Sequence, residues 1–205
     1  PVTQVVASQL VIAAYPKLAA NSIAELIALA KAKPGSLNYG STGIGTSPHL
    51  LLEELGDVAK VQFNHVPFKG NADLMQALLG GHVMAQSDAT GWDKYVDGGP
   101  MRLLVTSGEP RTKRWPNVPT SKGLGDGVVS TSPYGIAGPK GMDPAVVKTL
   151  HDAFKKAIDD PKHLELLAQL SQDVWYLNSE DYAKWARDTF GKEKALIDRL
   201  GLGAK

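Results

Sequence analysis

The sequence predicts an α/β fold, and three observations carry that expectation. Short runs rich in valine, isoleucine and leucine alternate with segments of roughly ten residues whose apolar positions recur at helical spacing. Clusters of glycine, proline, asparagine and serine punctuate the two kinds of segment. Regular alternation of this kind builds βαβ units, and hence a parallel sheet with helices packed against it.

Taken in order, Val2 to Ala7 alternates weakly and is valine-rich, and Leu10 to Ala14 is a short apolar run; both read as strands. Ser22-Ile23-Ala24-Glu25 has the pattern of a capping box, in which the serine oxygen takes an early helix N–H and the glutamate reaches back. Ile23, Leu26, Ile27 and Ala30 then share a helical face, and Pro34-Gly35 ends the helix. Leu37-Asn38-Tyr39 reads as a strand and runs into the loop Gly40-Ser41-Thr42-Gly43-Ile44-Gly45-Thr46. Ser47 is placed to cap the next helix, with Pro48 at its first position, where a missing N–H costs nothing.

The alternation continues with a strand from Val61 to Val66, a loop Pro67-Phe68-Lys69-Gly70, and a helix capped by Asn71 that stops at Gly80-Gly81. Val83 to Gln86 and Leu103 to Thr106 read as strands around a short helix from Trp92 to Val96. Glu109 to Pro133 is irregular and reads as a long connection. Beyond a strand at Tyr134 to Ala137 the pattern turns helical. Asp143 with Pro144 starts one helix, Asp160 with Pro161 a second, and Glu180 to Leu200 forms a third after a brief strand at Trp175 to Leu177.

Composition narrows the function classes. The 22 basic and 21 acidic residues nearly cancel and are interspersed, so no basic stripe points to nucleic acid. With no cysteine there is no disulfide framework, thiolate metal site or cysteine nucleophile. No apolar run reaches the ~18 residues that a membrane span needs.

The densest chemical signal is Asn38 to Ser47, where three glycines and several hydroxyl residues separate a strand from a helix N-terminus. Glycine lets a ligand approach the backbone closely. A helix N-terminus offers unpaired N–H groups and about half a positive charge, which together favour an anion. The phosphate-binding patterns fail. Gly45 is followed by Thr46-Ser47, without the P-loop lysine, and the third glycine of a dinucleotide-binding fingerprint is missing after Gly43-Ile44-Gly45. Ser41 misses a nucleophile elbow by one position, because Tyr39 stands where the first glycine belongs. No cofactor is implied, and a carboxylate held by neutral donors is the simplest reading.

Other candidates lie on neighbouring loops. His49, near the helix start, reads as a ligand contact or a partly solvated helix residue, and His65 as structural. Lys69 follows a strand at the same sheet end as the glycine loop if the strands are parallel, and either supplies positive charge or is solvated. Asp88 occupies the corresponding place after the next strand and either bonds a ligand or caps the following helix. The five histidines are scattered without metal-binding spacing, and no nucleophile, base and orienting acid form a recognisable set.

Several segments in order resemble the Bug-type receptors, the substrate-binding proteins of tripartite tricarboxylate transporters. These are Glu25-Leu26 through Ala32-Lys33-Pro34-Gly35, Leu37 to Thr46 with His49-Leu50, and His65-Val66-Pro67-Phe68-Lys69-Gly70. Arg102 to Ser107 with Arg111, Pro116-Asn117-Val118-Pro119-Thr120, and Gly135 to Gly141 complete the series. The resemblance covers nearly the whole chain. It implies a type II periplasmic binding protein-like fold, with one complete α/β domain over residues 10–126 carrying the ligand loop. Residues 1–9 and 127–205 would then be the mostly helical C-terminal remainder of the other domain. It also implies a periplasmic receptor, not an enzyme, that captures a di- or tricarboxylate, an acidic amino acid or an aromatic acid for membrane transporter subunits.

The resemblance makes the loop Ser41 to Thr46, with Ser41, Thr42, Gly43, Gly45 and Thr46, the ligand-binding element, and the positions of His49, Lys69 and Asp88 add them as candidates. The sequence opens after the family's first domain would have begun, so a fragment is expected. Its C-terminal helices would expose apolar faces able to drive self-association. The alternatives are an α/β hydrolytic enzyme using Ser41 or Asp88, and a degenerate receptor acting as an interaction module.

Overall fold

The computed structural model describes residues 1–108, 111–124, 128 and 131–203, without the side chains of residues 123 and 124. The boundary expected at Asp126 lies outside the described residues. The chain forms two compact units, one made of Pro1–Ser8 with the chain from Ser132 onward, the other of Gln9–Thr131.

The second of these, Gln9–Thr131, is built on a five-stranded sheet of order β4-β3-β5-β2-β6. Its strands are β2 (Val11–Ala14), β3 (Asn38–Ser41), β4 (Asn64–Pro67), β5 (Ala85–Asp88) and β6 (Arg102–Thr106). Its helices are α1 (Ile23–Ala32), α2 (Ser47–Ala59), α3 (Asn71–Leu79) and α4 (Asp93–Asp97). All four residues of β2, Val-Ile-Ala-Ala, are buried, as a strand covered on both faces requires. On one face Ile12 and Leu104 pack against Ile23, Leu26 and Ala30 of α1 and Leu51, Leu52 and Leu55 of α2. On the other, Val11 and Ala13 pack against Met75 and Leu78 of α3 and Trp92 at the start of α4.

The expectation of a parallel sheet needs one correction. β3 pairs in parallel with both β4 and β5, but β2 is antiparallel to both of its neighbours, β5 and β6. Four strands thus run one way, with β2 reversed between β5 and β6. The reason lies in the connection. β2 ends beside Ala85, where β5 begins, and β3 begins at the same edge, where the Met84 N–H donates to the Asn38 carbonyl. The segment containing α1 therefore leaves and re-enters the sheet at one edge and is no crossover. Alternation in sequence records that a helix intervenes, not at which edge it returns the chain.

Three local expectations also shift. β4 starts only at Asn64. Thr46, not Ser47, is the N-cap of α2, and its hydroxyl donates to the Gly43 carbonyl rather than capping the helix. Gly70, not Asn71, is the N-cap of α3, because the Asn71 side chain is drawn to β5. The Ser22 cap holds as expected, accepting from the Glu25 N–H at 3.2 Å, while the Glu25 carboxylate takes the N–H of Asn21.

The other unit has a three-stranded sheet of order β7-β1-β8, with β1 (Thr3–Gln9) antiparallel to β8 (Asp173–Leu177), and β7 spanning Thr131–Ile136. Its helices are α5 (Pro144–Ile158), α6 (Pro161–Gln169) and α7 (Ser179–Arg199). Asp143, Asp160 and Asn178 cap them through side-chain oxygens. The helices carry exposed apolar side chains at Val146, Leu150, Leu164, Leu166 and Phe190. Among the described residues no helix is long and apolar enough to cross a membrane.

Candidate functional site

Because β3, β4, β5 and β6 point the same way, the loops that follow them gather at one edge of the sheet of the Gln9–Thr131 unit. The segment Thr42–Thr46 follows β3, Phe68–Gly70 follows β4, and Ala89–Trp92 follows β5. The carboxyl edge of a parallel sheet is where α/β proteins place ligands.

The β3–α2 loop is braced from beneath. The Ser41 side chain is fully buried. Its hydroxyl lies 2.8 Å from His65 Nε2 and donates to the Gly43 carbonyl at 3.1 Å. Spending its one proton there leaves Ser41 Oγ to accept from His65 Nε2–H, which fixes the His65 tautomer. His49 is buried too, and its Nδ1 accepts the Gly45 N–H at 3.0 Å. The two imidazoles stack 3.9 Å apart with their planes 16° from parallel, and Tyr39 stacks on His65 at 4.9 Å. The Tyr39 hydroxyl donates to Glu53 Oε1 at 2.7 Å, and that carboxylate stands 3.7 Å from His49 Nε2.

These contacts consume the N–H of Gly45, and more weakly that of Gly43, which reaches Ser41 Oγ at 3.4 Å. The N–H groups of Thr42, Ile44, Thr46 and Ser47 have no hydrogen-bond partner among the described residues. Thr42, Thr46 and Ser47 are half-buried and Ile44 is 63% exposed, so the segment carrying these donors lies at the protein surface. They stand at the start of α2, where the helix dipole adds positive potential. The loop thus presents open backbone donors, and buried aromatic rings pack beneath it.

The turn after β5 is organised differently. Asp88 is buried, accepts the Ala89 N–H at 2.7 Å, bonds the Thr90 N–H, and is gripped by Asn71 Nδ2. Asn71 also donates to the Thr90 carbonyl at 2.6 Å. Burial raises the Asp88 pKa to about 6, against the opposing pull of the Ala89 and Thr90 N–H groups. Burial, reinforced by the neighbouring His49, lowers the His65 pKa to about 4. Burial also lowers that of His49, against the pull of Glu53, and raises that of Tyr39, with Glu53 adding to the rise.

The structure therefore brings Ser41, Thr42, Gly43, Gly45, Thr46 and His49 together, with Lys69 and Asp88 on adjacent loops of the same edge. Lys69 is exposed and makes no ion pair among the described residues. The reading of His49 as partly solvated is corrected, since the residue is 5% exposed and its Nδ1 faces the loop's Gly45 N–H. Sequence reasoning read His65 as structural without placing it under the loop, and did not place Tyr39 or Glu53 in the loop's support. The one available signal was that Tyr39 and His65 each sit on a strand whose exit loop was already a candidate. Among the described residues no three His, Asp or Glu side chains converge as a metal site would require. A hydrolytic role for Ser41 lacks an exposed nucleophile, because its hydroxyl is enclosed and already bonded.

Comparison with known proteins gives consistent findings. The family described as tripartite tricarboxylate transporter family receptor matches residues 1–202. The chain is 54% identical over 178 residues to "UPF0065 protein in gbd 5'region" of Cupriavidus necator, covering 87% of this chain and 54% of that protein. It is 31% identical over 170 residues to "Protein BugT" of Bordetella pertussis, covering 82% of this chain and 52% of that protein. The chain thus spans about half the length of these relatives. The solved structure of the periplasmic binding protein BugD superposes with a TM-score of 0.88 at 25% identity, covering 100% of this chain and 70% of that one.

Proposed function

This chain belongs to the Bug-type receptor family of tripartite tricarboxylate transporters, and on that premise we propose that its β3–α2 loop captures the carboxylate group of a small organic acid outside the cytoplasm for transfer to membrane subunits. The observation that carries the reading is the set of N–H groups on Thr42, Ile44, Thr46 and Ser47, unpaired at the start of a helix on the sheet's carboxyl edge. A carboxylate there gains charge-assisted hydrogen bonds without needing a buried cation as counter-charge. The hydroxyls of Thr42 and Ser47 add donors, and Lys69 supplies positive charge from the next loop. Ser41, Gly43, Gly45 and His49 shape the loop, and Asp88 shapes the neighbouring turn. Nothing in this arrangement calls for a bond to be made or broken in the acid, so the role is capture and release.

A thermal-shift screen tests the reading, run on this chain and on a chain of its relatives' full length. The acids are malate and citrate for di- and tricarboxylates, glutamate for acidic amino acids, and benzoate for aromatic acids. Binding stabilises the folded state by mass action, by about 2.7 kcal/mol at a hundredfold excess over Kd. One class is expected to raise the melting temperature, while its neutral amide or ester does not. If no acid shifts either chain at millimolar concentration, the carboxylate reading fails.

A further inference from the structure

Beneath the loop, both of its ends are tied to one stacked pair of imidazoles. His65 Nε2 lies 2.8 Å from Ser41 Oγ, at the loop's beginning, and His49 Nδ1 takes the Gly45 N–H at 3.0 Å, near its end. The rings are 3.9 Å apart and nearly parallel. We propose that His49 and His65 are positioning residues of the carboxylate loop. The stacked pair fixes the Ser41 hydroxyl and the Gly45 amide from below, and so turns the Thr42, Ile44, Thr46 and Ser47 N–H groups outward. This assignment rests on the capture reading given above and adds to it the residues that set the loop's geometry.

The physical case is one of alternation. Between Thr42 and Thr46 the bonded N–H groups, those of Gly43 and Gly45, alternate with unpaired ones. The Gly45 N–H points to the imidazole, and the N–H groups on either side, of Ile44 and Thr46, are unpaired. Gly45 itself has φ +74°, the left-handed region that glycine reaches without strain. The histidines suit the task because a neutral imidazole can present an acceptor at one nitrogen and a donor at the other. His49 must keep Nδ1 free of a proton to accept from Gly45, which places its proton on Nε2, facing Glu53. His65 must carry its proton on Nε2 to serve Ser41, whose own proton goes to the Gly43 carbonyl.

Both rings therefore have to stay neutral, and their surroundings keep them so. The titratable groups facing them are Glu53 on the same helix as His49, Tyr39 on β3, and each other. A proton added at His49 Nδ1 would remove the acceptor for Gly45 and place a charged ring against the stacked His65. Acidification is then expected to release the Gly45 amide before the sheet itself melts.

Nuclear magnetic resonance on the ligand-free chain tests the assignment, independently of whether any acid binds. In the unmodified chain the Gly45 amide shift is expected to follow the nitrogen-15 titration of His49 Nδ1, with both moving below the ordinary histidine range. His49→Ala is expected to speed Gly45 amide exchange about fivefold to tenfold, the loss of one net hydrogen bond, with the β3 and β5 ladder amides unchanged. His49→Asn restores an acceptor near the same place and is expected to recover most of that protection. A Gly45 amide that ignores the His49 titration overturns the proposal, as does equal exchange in the alanine and asparagine variants. Should His49→Ala not fold, the titration of the unmodified chain decides alone. Failure of the capture reading would show instead in the thermal-shift screen, with these amide measurements unchanged.

Discussion

The exits of β3 and β5 face the same sheet edge and solve the same problem in opposite ways. After β5 the protein provides its own carboxylate. Asp88 folds back onto the Ala89 and Thr90 N–H groups, and Asn71 locks it there. After β3 there is no internal carboxylate. Neutral imidazoles and hydroxyls brace the loop, and four N–H groups remain open. Both loops even contain a glycine at φ +74°, Gly45 in one and Gly91 in the other. The contrast teaches that the β5 exit satisfies its backbone donors with a carboxylate of its own, whereas the β3 exit leaves donors open, and the proposed capture of an organic acid rests on that difference.

Three changes break or sharpen this contrast. The largest effect is expected from Asp88→Asn. A carboxyl raised from 3.8 to about 6 ionises less readily in the folded than in the unfolded chain. Its contribution to stability is present below the unfolded pKa and is lost as pH rises through about 6. That corresponds to roughly 3 kcal/mol across the window. His49 and His65 act in the other sense. Their lowered pKa values give stability that is present above the ordinary histidine value and lost as pH falls below it, for His65 down through about 4. Denaturant unfolding of the chain and of Asp88→Asn at matched pH removes the histidine contribution from the difference. The remaining slope is expected to vanish in the variant, and an equal slope in both would contradict the buried-carboxylate account.

The middle effect pairs the two glycines. Gly45→Ala and Gly91→Ala each force a side chain into the left-handed region, at about 1–2 kcal/mol. A Cβ at Gly45 meets nothing within 4 Å, and one at Gly91 comes within 3.5 Å of Asn71 Oδ1. Similar stability losses are expected by calorimetry. Carboxylate affinity should fall only for Gly45→Ala, by about tenfold, equivalent to losing one charge-assisted hydrogen bond. Equal affinities in the two variants would remove the distinction between the loops.

The smallest stability effect is expected from Thr46→Asp, which gives the β3 exit an internal carboxylate like that of β5. Thr46 is the N-cap of α2 and makes no side-chain cap bond, so aspartate there should stabilise the helix by about 0.5–1 kcal/mol. The same carboxylate would occupy the open donors, so thermal melting should rise while binding of the acid found in the screen is lost. A stabilised variant that still binds would place the ligand elsewhere.

Much of this was legible in the chain. The buried run Val11–Ala14, the capped helix starts at Ser22, Asp143 and Asp160, and the glycine- and hydroxyl-rich exit of β3 are local features, and the sequence states them locally. Local chemistry also pointed to an anion at the β3 exit, since donors without a fixed counter-charge are a property of residue type and of the helix that follows. Tertiary structure alone decided the rest. The reversal of β2 depends on the edge to which α1 returns the chain, and the pairing of Asn71 with Asp88 joins residues seventeen apart. The roles of His49 and His65 were decided in the same way. One sits on a helix and the other on a strand, and only the packing of α2 over β3 and β4 stacks their rings and sets which nitrogen must hold its proton. A histidine's sequence position says that it can donate, accept or titrate; its three-dimensional partners choose among these, because the choice rests on which atoms are within hydrogen-bond reach and how much water is kept out.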